Sequence, residues 1–198
     1  KLKSLREEGG KRVQDWMDKV PVEHWANAYF AGKRYGEMCS NVAESFNAKI
    51  KDARHLPIIN LIDKIRIEVM KWMSERRGVC KDWSDVLCPS MHKRLQMALD
   101  ESSTWNISMA NEDIYEVHSN PSVYVNISLR LCSCGGWQIH GFPCSHATAV
   151  LVNTTKRTGK SLYDYIENYF YAQCYRDSYS GFIHPVTTFK KPTSTSSD

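Results

Sequence analysis

The chain has 198 residues, of which 42% are hydrophobic, and it carries a net charge of +4. This length suits one domain or two small ones, and no apolar run approaches the roughly 18–20 residues of a membrane-spanning helix. The mild positive charge is compatible with nucleic-acid binding but does not diagnose it. Because the sequence opens on Lys1 without a starting Met, we expect a fragment of a longer polypeptide.

The first part of the chain, residues 1–38, has the apolar spacing of short helices. Val13, Trp16, Met17 and Val20 recur at intervals of three and four residues, which places them on one helical face. A polar joint follows and separates this segment from the next predicted helix.

The next helix is predicted over residues 42–54. Asn41 can act as its N-cap, and Glu44 three residues later completes the spacing of a capping box. In that motif the glutamate returns a hydrogen bond to the backbone N–H of the cap, which is a sufficient structural reason for its presence.

The longest helix is predicted over residues 57–77, after Pro57. Its apolar residues form one stripe at helical spacing: Ile58, Leu61, Ile62, Ile65, Val69, Trp72 and Met73. Such a stripe usually faces a core, so we expect most of it to be buried. A further helix is predicted over residues 89–102.

Beyond residue 110 the apolar period changes from helical to alternating. Residues 113–118 and 122–131 are rich in Val, Ile and Tyr, which predicts two strands of a hairpin closed around Asn120-Pro121. A helix over 145–153 and an aromatic-rich helix over 162–175 should follow, and the Ser/Thr tail over 192–198 should be disordered.

These patterns predict an α+β fold. A mainly helical N-terminal part should precede a small β-hairpin and helix that bind metal, and an aromatic helix should follow them. The expected divisions are residues 1–110, 111–155, 156–190 and 191–198.

The most specific motif is a group of metal-type ligands within 15 residues: Cys132, Cys134, Cys144 and His146. Residues two apart on a strand share a face, so the first two sulfurs should point the same way. Cys144 follows Pro143 and should stand at a helix entrance, with His146 in the first turn. Four protein ligands fill a tetrahedral zinc site, which predicts one structural zinc ion.

Other uses of these cysteines remain open. Two thiols beside a histidine can form a nucleophilic or redox site, cysteines can pair as disulfides, and a buried cysteine can simply fill a core. The chain has seven cysteines and no C-x-x-C motif, which favours the metal site. His140, inside the intervening loop, is the one plausible substitute ligand.

Residues 132–147 resemble a SWIM-type zinc finger. Upstream segments strengthen a resemblance to the C-terminal part of plant Mutator-like (MuDR) transposases, which are related to far-red-response transcription regulators. The matching upstream segments are His24-Trp25-Ala26, the run from Gly32 to Gly36, the run from Ser40 to Asn47, and the run from Arg54 to Ile58. The resemblance as a whole covers roughly residues 10–186 of the chain.

The resemblance implies a role for Glu44 that differs from capping. In such transposases the Asn-x-x-Glu-Ser-x-Asn segment supplies the third carboxylate of an RNase-H-like site, which here corresponds to Glu44. The family's two catalytic aspartates match no segment of this chain, and a single carboxylate cannot hold two catalytic metal ions. We therefore expect no enzymatic activity from the chain as it stands.

The resemblance and the basic residues together predict a nuclear, zinc-dependent module that binds DNA. Lys156, Arg157 and Lys160, just past the zinc helix, are the candidate phosphate contacts. A protein-interaction module or homo-oligomer is the alternative. An active recombinase requires the missing aspartates elsewhere in the parent protein. Neither a membrane nor a small-molecule substrate is expected as a partner.

Overall fold

A computed structural model describes residues 2–24, 29–30, 32–36 and 41–185. The 192–198 tail, for which disorder was expected, lies outside these residues, as do Trp25 and Ala26 of the upstream motif and the side chain of Lys156. The chain divides into two compact units, Lys1–Met38 with Ser90–Asn168, and Cys39–Pro89 with Tyr169–Asp198. None of the described helices has the length and apolar composition of a membrane span.

The N-terminal segment is helical, as its apolar spacing predicts. Helix α1 covers Leu2–Glu8, helix α2 covers Gly10–Lys19, and a 3-10 turn covers Val22–His24. Met17 of α2 is buried, whereas Trp16 is 56% exposed.

In the second unit, helix α3 covers Asn41–Lys49 and is shorter than predicted. The predicted end of this helix is instead a 3-10 helix over Lys51–His55, with i to i+3 hydrogen bonds. Ala53 is buried in this 3-10 helix. The helix ends before Leu56, which is extended because a residue preceding proline disfavours the helical conformation.

Helix α4 covers Ile58–Val79, close to the prediction, but its apolar stripe is not a core. None of its residues is buried, and Ile58 remains 66% exposed. The expectation of burial is wrong because the described part of this unit offers little to cover a helix of 22 residues. Phe46 meets Trp72 edge-on at 5.9 Å between ring centroids. Most of the stripe is half-buried, and its residues Ile58 and Ile62 stay exposed.

Helix α5, Pro89–Ser102, has the predicted bounds. The aromatic segment after residue 161 is not one helix: it forms 3-10 turns over Leu162–Tyr165 and Asn168–Phe170, and then helix α8 over Ala172–Ser178. Ser161 caps the first turn in a capping box with Asp164. Ile166 is extended and ends that turn, so the helical spacing of the aromatic residues is interrupted by local geometry.

The first unit contains one antiparallel sheet with strand order β1-β2-β3-β4. Its strands are Asn106–Met109, Ile114–His118, Val123–Asn126 and Leu131–Cys132. Strands β2 and β3 are the predicted hairpin, while β1 was not anticipated. The predicted second strand breaks after Asn126, because the side chain of Asn126 accepts hydrogen bonds from the Ser128 hydroxyl and the Leu129 N–H.

Helix α7, Ser145–Thr158, packs against this sheet and carries the core. Buried residues of the sheet and helix share one cluster with the turns between them: Tyr115, Val117, Val125, Ile127, Cys132, Trp137, Ala147, Val150, Leu151 and Tyr165. The helix ends later than the predicted residue 153, because left-handed Gly159 provides its C-cap and donates its N–H to the Thr155 carbonyl at 3.0 Å. The α+β class is thus confirmed.

Gly141 is a backbone position with no room for a side chain. Its φ is +66°, and a Cβ there would stand 2.9 Å from Cγ of Glu167 and 3.1 Å from the Tyr35 ring. Glu167 cannot move aside freely, because its carboxylate accepts hydrogen bonds from Lys33 and Arg130. Gly159 has nearly the same φ, +67°, but a Cβ added there would have no atom within 4 Å.

We predict that Gly141→Ala lowers the free energy of unfolding more than Gly159→Ala does. The left-handed backbone costs both variants about 1–2 kcal/mol, and crowding adds about 1–3 kcal/mol at position 141 only. Urea denaturation of the two variants beside the wild type measures the difference. Equal losses of stability would contradict the packing described for Gly141.

Candidate metal centre

Cys132 and Cys134 reach the site from a strand end and the turn after it. Cys132 is the last residue of β4 and is fully buried, whereas Cys134 lies in the turn. The expectation that one strand face presents both sulfurs is therefore wrong in detail. Gly135, with φ +78°, reverses the chain and donates its N–H to the Cys132 carbonyl at 2.9 Å.

Cys144 and His146 come from the start of α7, as predicted. Cys144 is the N-cap residue, with extended backbone, and its carbonyl accepts the N–H of Thr148 at 2.8 Å. His146 lies in the first helical turn. The short helix α6, Gly136–His140, fills the interval that the sequence suggested was only a loop. The positive end of the α7 dipole acts in favour of a thiolate at Cys144, but contacts with Cys132 and Cys134 outweigh it and raise the pKa of Cys144.

The four candidate ligands converge in space. One donor atom from each of Cys132, Cys134, Cys144 and His146 lies within 4.8 Å of all the others. Sγ of Cys132 is 3.9 Å from Nδ1 of His146, and the Sγ atoms of Cys134 and Cys144 are 3.6 Å apart. Metal–sulfur bonds of about 2.3 Å at tetrahedral angles place ligand atoms about 3.8 Å apart, so this donor set is compatible with binding zinc.

The three thiols differ in pKa. Hydrogen bonding to the Cys132 thiol, and then to Cys144, holds the pKa of Cys134 well below its ordinary value. The contact with Cys134 raises the pKa of Cys132 to about 11. Contacts with Cys132 and Cys134, with burial, raise the pKa of Cys144. One thiolate is thus favoured among the three sulfurs, and a bound cation is the usual means of stabilising further thiolates.

Backbone and amide groups fix the first cysteine in place. The side chain of Gln138 donates to the Cys132 carbonyl at 2.9 Å and accepts the Cys132 N–H at 3.2 Å. The Gly136 N–H donates to Sγ of Cys134 at 3.4 Å, and a Cβ on Gly136 would stand 3.3 Å from Cβ of Cys144. Glycine therefore fits where the two halves of the site approach most closely.

An aromatic side chain covers one of the four candidate ligands. Trp105 stacks on the His146 imidazole, with ring centroids 4.7 Å apart and planes inclined by 17°. Trp137 belongs to the same core cluster as Cys132, and Phe142 is fully buried, with the Arg94 guanidinium lying 5.0 Å from its ring centroid. Sequence reasoning missed Trp105 and Gln138, because no local spacing connects either residue to the cysteines.

His140, the proposed substitute ligand, does not join the four donors among the described residues. Its Nδ1 is buried without a hydrogen-bond partner in the described chain. Burial, and then the neighbouring charge of Arg94, lower the pKa of His140. Its neutral ring is therefore placed beside the site and outside the ligand set.

The candidate phosphate contacts stand near the end of α7. Arg157 is exposed, with Nη1 3.1 Å from Sδ of Met109. Lys160 is exposed, and its ammonium lies 5.9 Å from the centroid of the Tyr165 ring. Arg130, which no sequence pattern singled out, approaches the same ring at 6.0 Å, so a second cation joins Lys160 there.

Glu44 stands in the first turn of α3 and is exposed. Within the described residues it belongs to no group of three potential metal ligands. The described residues therefore do not assemble a carboxylate site around it. The helix begins at Asn41 itself, one residue earlier than predicted.

Comparison with known proteins identifies one segment. Residues 115–153 match the family model described as SWIM zinc finger. This segment runs from β2 into α7 and includes all four converging ligands. Neither a curated protein nor a solved structure gives a significant match to the chain.

We predict that Gln138→Ala lowers the free energy of unfolding by about 1–3 kcal/mol, because two hydrogen bonds to the Cys132 backbone are lost. Gln96→Ala is the matched control, since Gln96 makes one exposed contact with Asp100 along α5. Chemical denaturation of both variants tests this. If the two losses were equal, Gln138 would have no special part in holding Cys132.

Proposed function

We propose that the chain is a structural zinc module in which Cys132, Cys134, Cys144 and His146 bind one ion. The observation that carries this proposal is the convergence of four donor atoms within 4.8 Å inside a segment that matches the SWIM zinc finger. The ion would join the turn after β4 to the start of α7. That link supports the fold directly, because metal-binding free energy adds to folding free energy.

A structural role fits this donor set better than a catalytic one. Catalytic zinc usually has three protein ligands and an open position for water or substrate. Here four protein donors satisfy tetrahedral coordination. The imidazole is also covered on one face by Trp105, which restricts access from that side.

We predict that the purified protein contains about one zinc ion per chain and that Cys132→Ser loses it. Cys174→Ser is the control, since Cys174 is outside the converging group. Elemental analysis with protein quantification measures both. Zinc-free wild-type protein, or equal zinc loss from the two variants, would contradict the proposed ligand set.

We further propose that this zinc module binds nucleic acid. The support is the net charge of +4 and the exposed cations Arg157 and Lys160 after the metal-binding segment. Lys156 belongs to the same sequence cluster. Contacts of this kind neutralise phosphates and release counterions, so the binding should depend on salt and little on sequence.

The parent of this module, in our proposal, is a nuclear protein derived from a Mutator-like transposase. The support is the set of sequence motifs upstream of the zinc finger. Glu44 corresponds to the family's third carboxylate, and among the described residues it belongs to no cluster of acidic ligands. The chain itself should therefore bind DNA without cutting or joining it, because that chemistry needs a metal pair held by several carboxylates.

A second candidate is a protein-interaction module, and a specific surface favours it. Helices α3 and α4 line an open groove of about 1040 Å³. Its walls include Val42, Phe46, Trp72 and Val79. Val42 is 74% exposed and Val79 is 60% exposed. Apolar grooves between helices are common sites for a partner with an amphipathic helix.

For the nucleic-acid proposal, we predict that changing Lys156, Arg157 and Lys160 to Ala weakens DNA binding and flattens its salt dependence. Each lost phosphate contact should reduce the slope of log K against log salt by about 0.9 on duplex DNA. Fluorescence anisotropy across a range of salt concentrations measures this slope.

The control variant changes Lys71, Lys81 and Lys93 to Ala, which removes the same charge from other exposed positions. If both variants bound alike, the effect would be one of net charge only. Binding that ignores salt, or no binding at all, would favour the protein-interaction candidate.

A further inference from the structure

We propose that a cavity between β1 and the end of α7 binds one unpaired nucleobase, so that the module prefers single-stranded nucleic acid. This inference rests on the proposed nucleic-acid function. The cavity has a volume of about 310 Å³, and its lining includes Trp105, Met109, Tyr115, Asn153 and Arg157. All five belong to the unit that contains the metal centre.

Trp105 provides a fixed aromatic surface. Its indole stacks on His146 at 4.7 Å between centroids, and it packs against the buried cluster of the sheet and α7. The ring is half-buried, so part of it remains accessible in the cavity. Bases stack on such side chains with little regard to sequence, because every base has an aromatic face.

Asn153 and Arg157 provide polar groups at the same cavity. The Asn153 amide donates from Nδ2 to the Ala149 carbonyl at 2.9 Å, and its Oδ1 and second N–H can serve a ligand. The Arg157 guanidinium has five N–H donors. Amide and guanidinium groups are the side-chain groups that pair best with base edges.

The size and charge of the cavity favour a base over other ligands. A volume of 310 Å³ lies at the lower end of the range for small-molecule sites, roughly 300–1000 Å³. It suits one planar ring system with its attached backbone. A base within a duplex is paired and stacked, so it reaches such a cavity only after unpairing. Arg157 is the cation among the cavity's lining residues, which is too little charge for a polyphosphate.

The cavity and the metal centre are linked by the stack of Trp105 on His146. His146 is a candidate zinc ligand, and its ring supports the Trp105 indole. A bound ion would hold the imidazole in place and thereby fix the surface on which a base stacks. Arg157 is shared with the proposed phosphate contacts, so the strand's backbone and one base would meet at the end of α7.

The test compares three fluorescent ligands of equal length: a single strand, an abasic single strand and a duplex. The zinc-loaded wild type should bind the single strand about 5-fold to 150-fold more tightly than the abasic strand, which is the range for one stacked base. Asn153→Ala should reduce that preference while leaving the affinity for the abasic strand unchanged, and Trp105→Ala should reduce the preference as well. Tyr124→Ala is the control, because Tyr124 is an exposed aromatic residue on β3 outside the cavity.

Zinc content checks that Trp105→Ala remains folded, and Asn153→Ala provides an independent variant, since Asn153 is exposed. Equal affinity of the wild type for normal and abasic strands, or an unchanged preference in Asn153→Ala, would overturn the base site. In that case a phosphate-only mode stands if the Lys156, Arg157 and Lys160 variant still loses affinity. Failure of the wild type to bind any of the three ligands would overturn the nucleic-acid function as well.

Discussion

Three sulfur atoms and one imidazole nitrogen converge within 4.8 Å, and the metal-binding segment is organised around that convergence. Three thiolates so close together repel one another, and burial adds to the cost of each charge. A divalent cation offsets this repulsion and the cost of burial, because it attracts every ligand at once. A bound ion would therefore couple the geometry of β4, its turn and α7 to metal binding.

The surrounding structure shows how that convergence is supported. Gln138 holds the backbone of Cys132, Gly136 permits close approach of the two halves, and Trp105 orients the imidazole. Such outer contacts tune metal sites because they restrict the rotation of the ligands. On the other side of the same cysteine lies the core of the sheet and α7, so folding and metal binding should stabilise each other.

The sequence predicted the features that depend on local spacing. The C-x-C and C-x-H pairs, the helix entrance at Cys144, and helices α4 and α5 follow from patterns of a few residues. These patterns gave wrong element boundaries or wrong burial where side-chain contacts or residues distant in sequence determine the structure. The Asn126 side chain ends β3 early, and Ile166 interrupts the predicted aromatic helix. The stripe of α4 looked like a core, yet amphipathic spacing alone cannot say whether a covering surface exists. Trp105 could not be assigned to the site, because 41 positions separate it from His146.

Substitution of cobalt for zinc tests whether the four candidate ligands bind one ion. Cobalt(II) takes up tetrahedral sulfur-rich sites and reports them through intense visible and charge-transfer absorption. We expect this spectrum to saturate at one cobalt ion per chain and zinc to displace the cobalt. We also expect loss of folded structure around α7 when a chelator removes the ion. A weak octahedral spectrum, or a fold that the chelator leaves intact, would contradict these expectations.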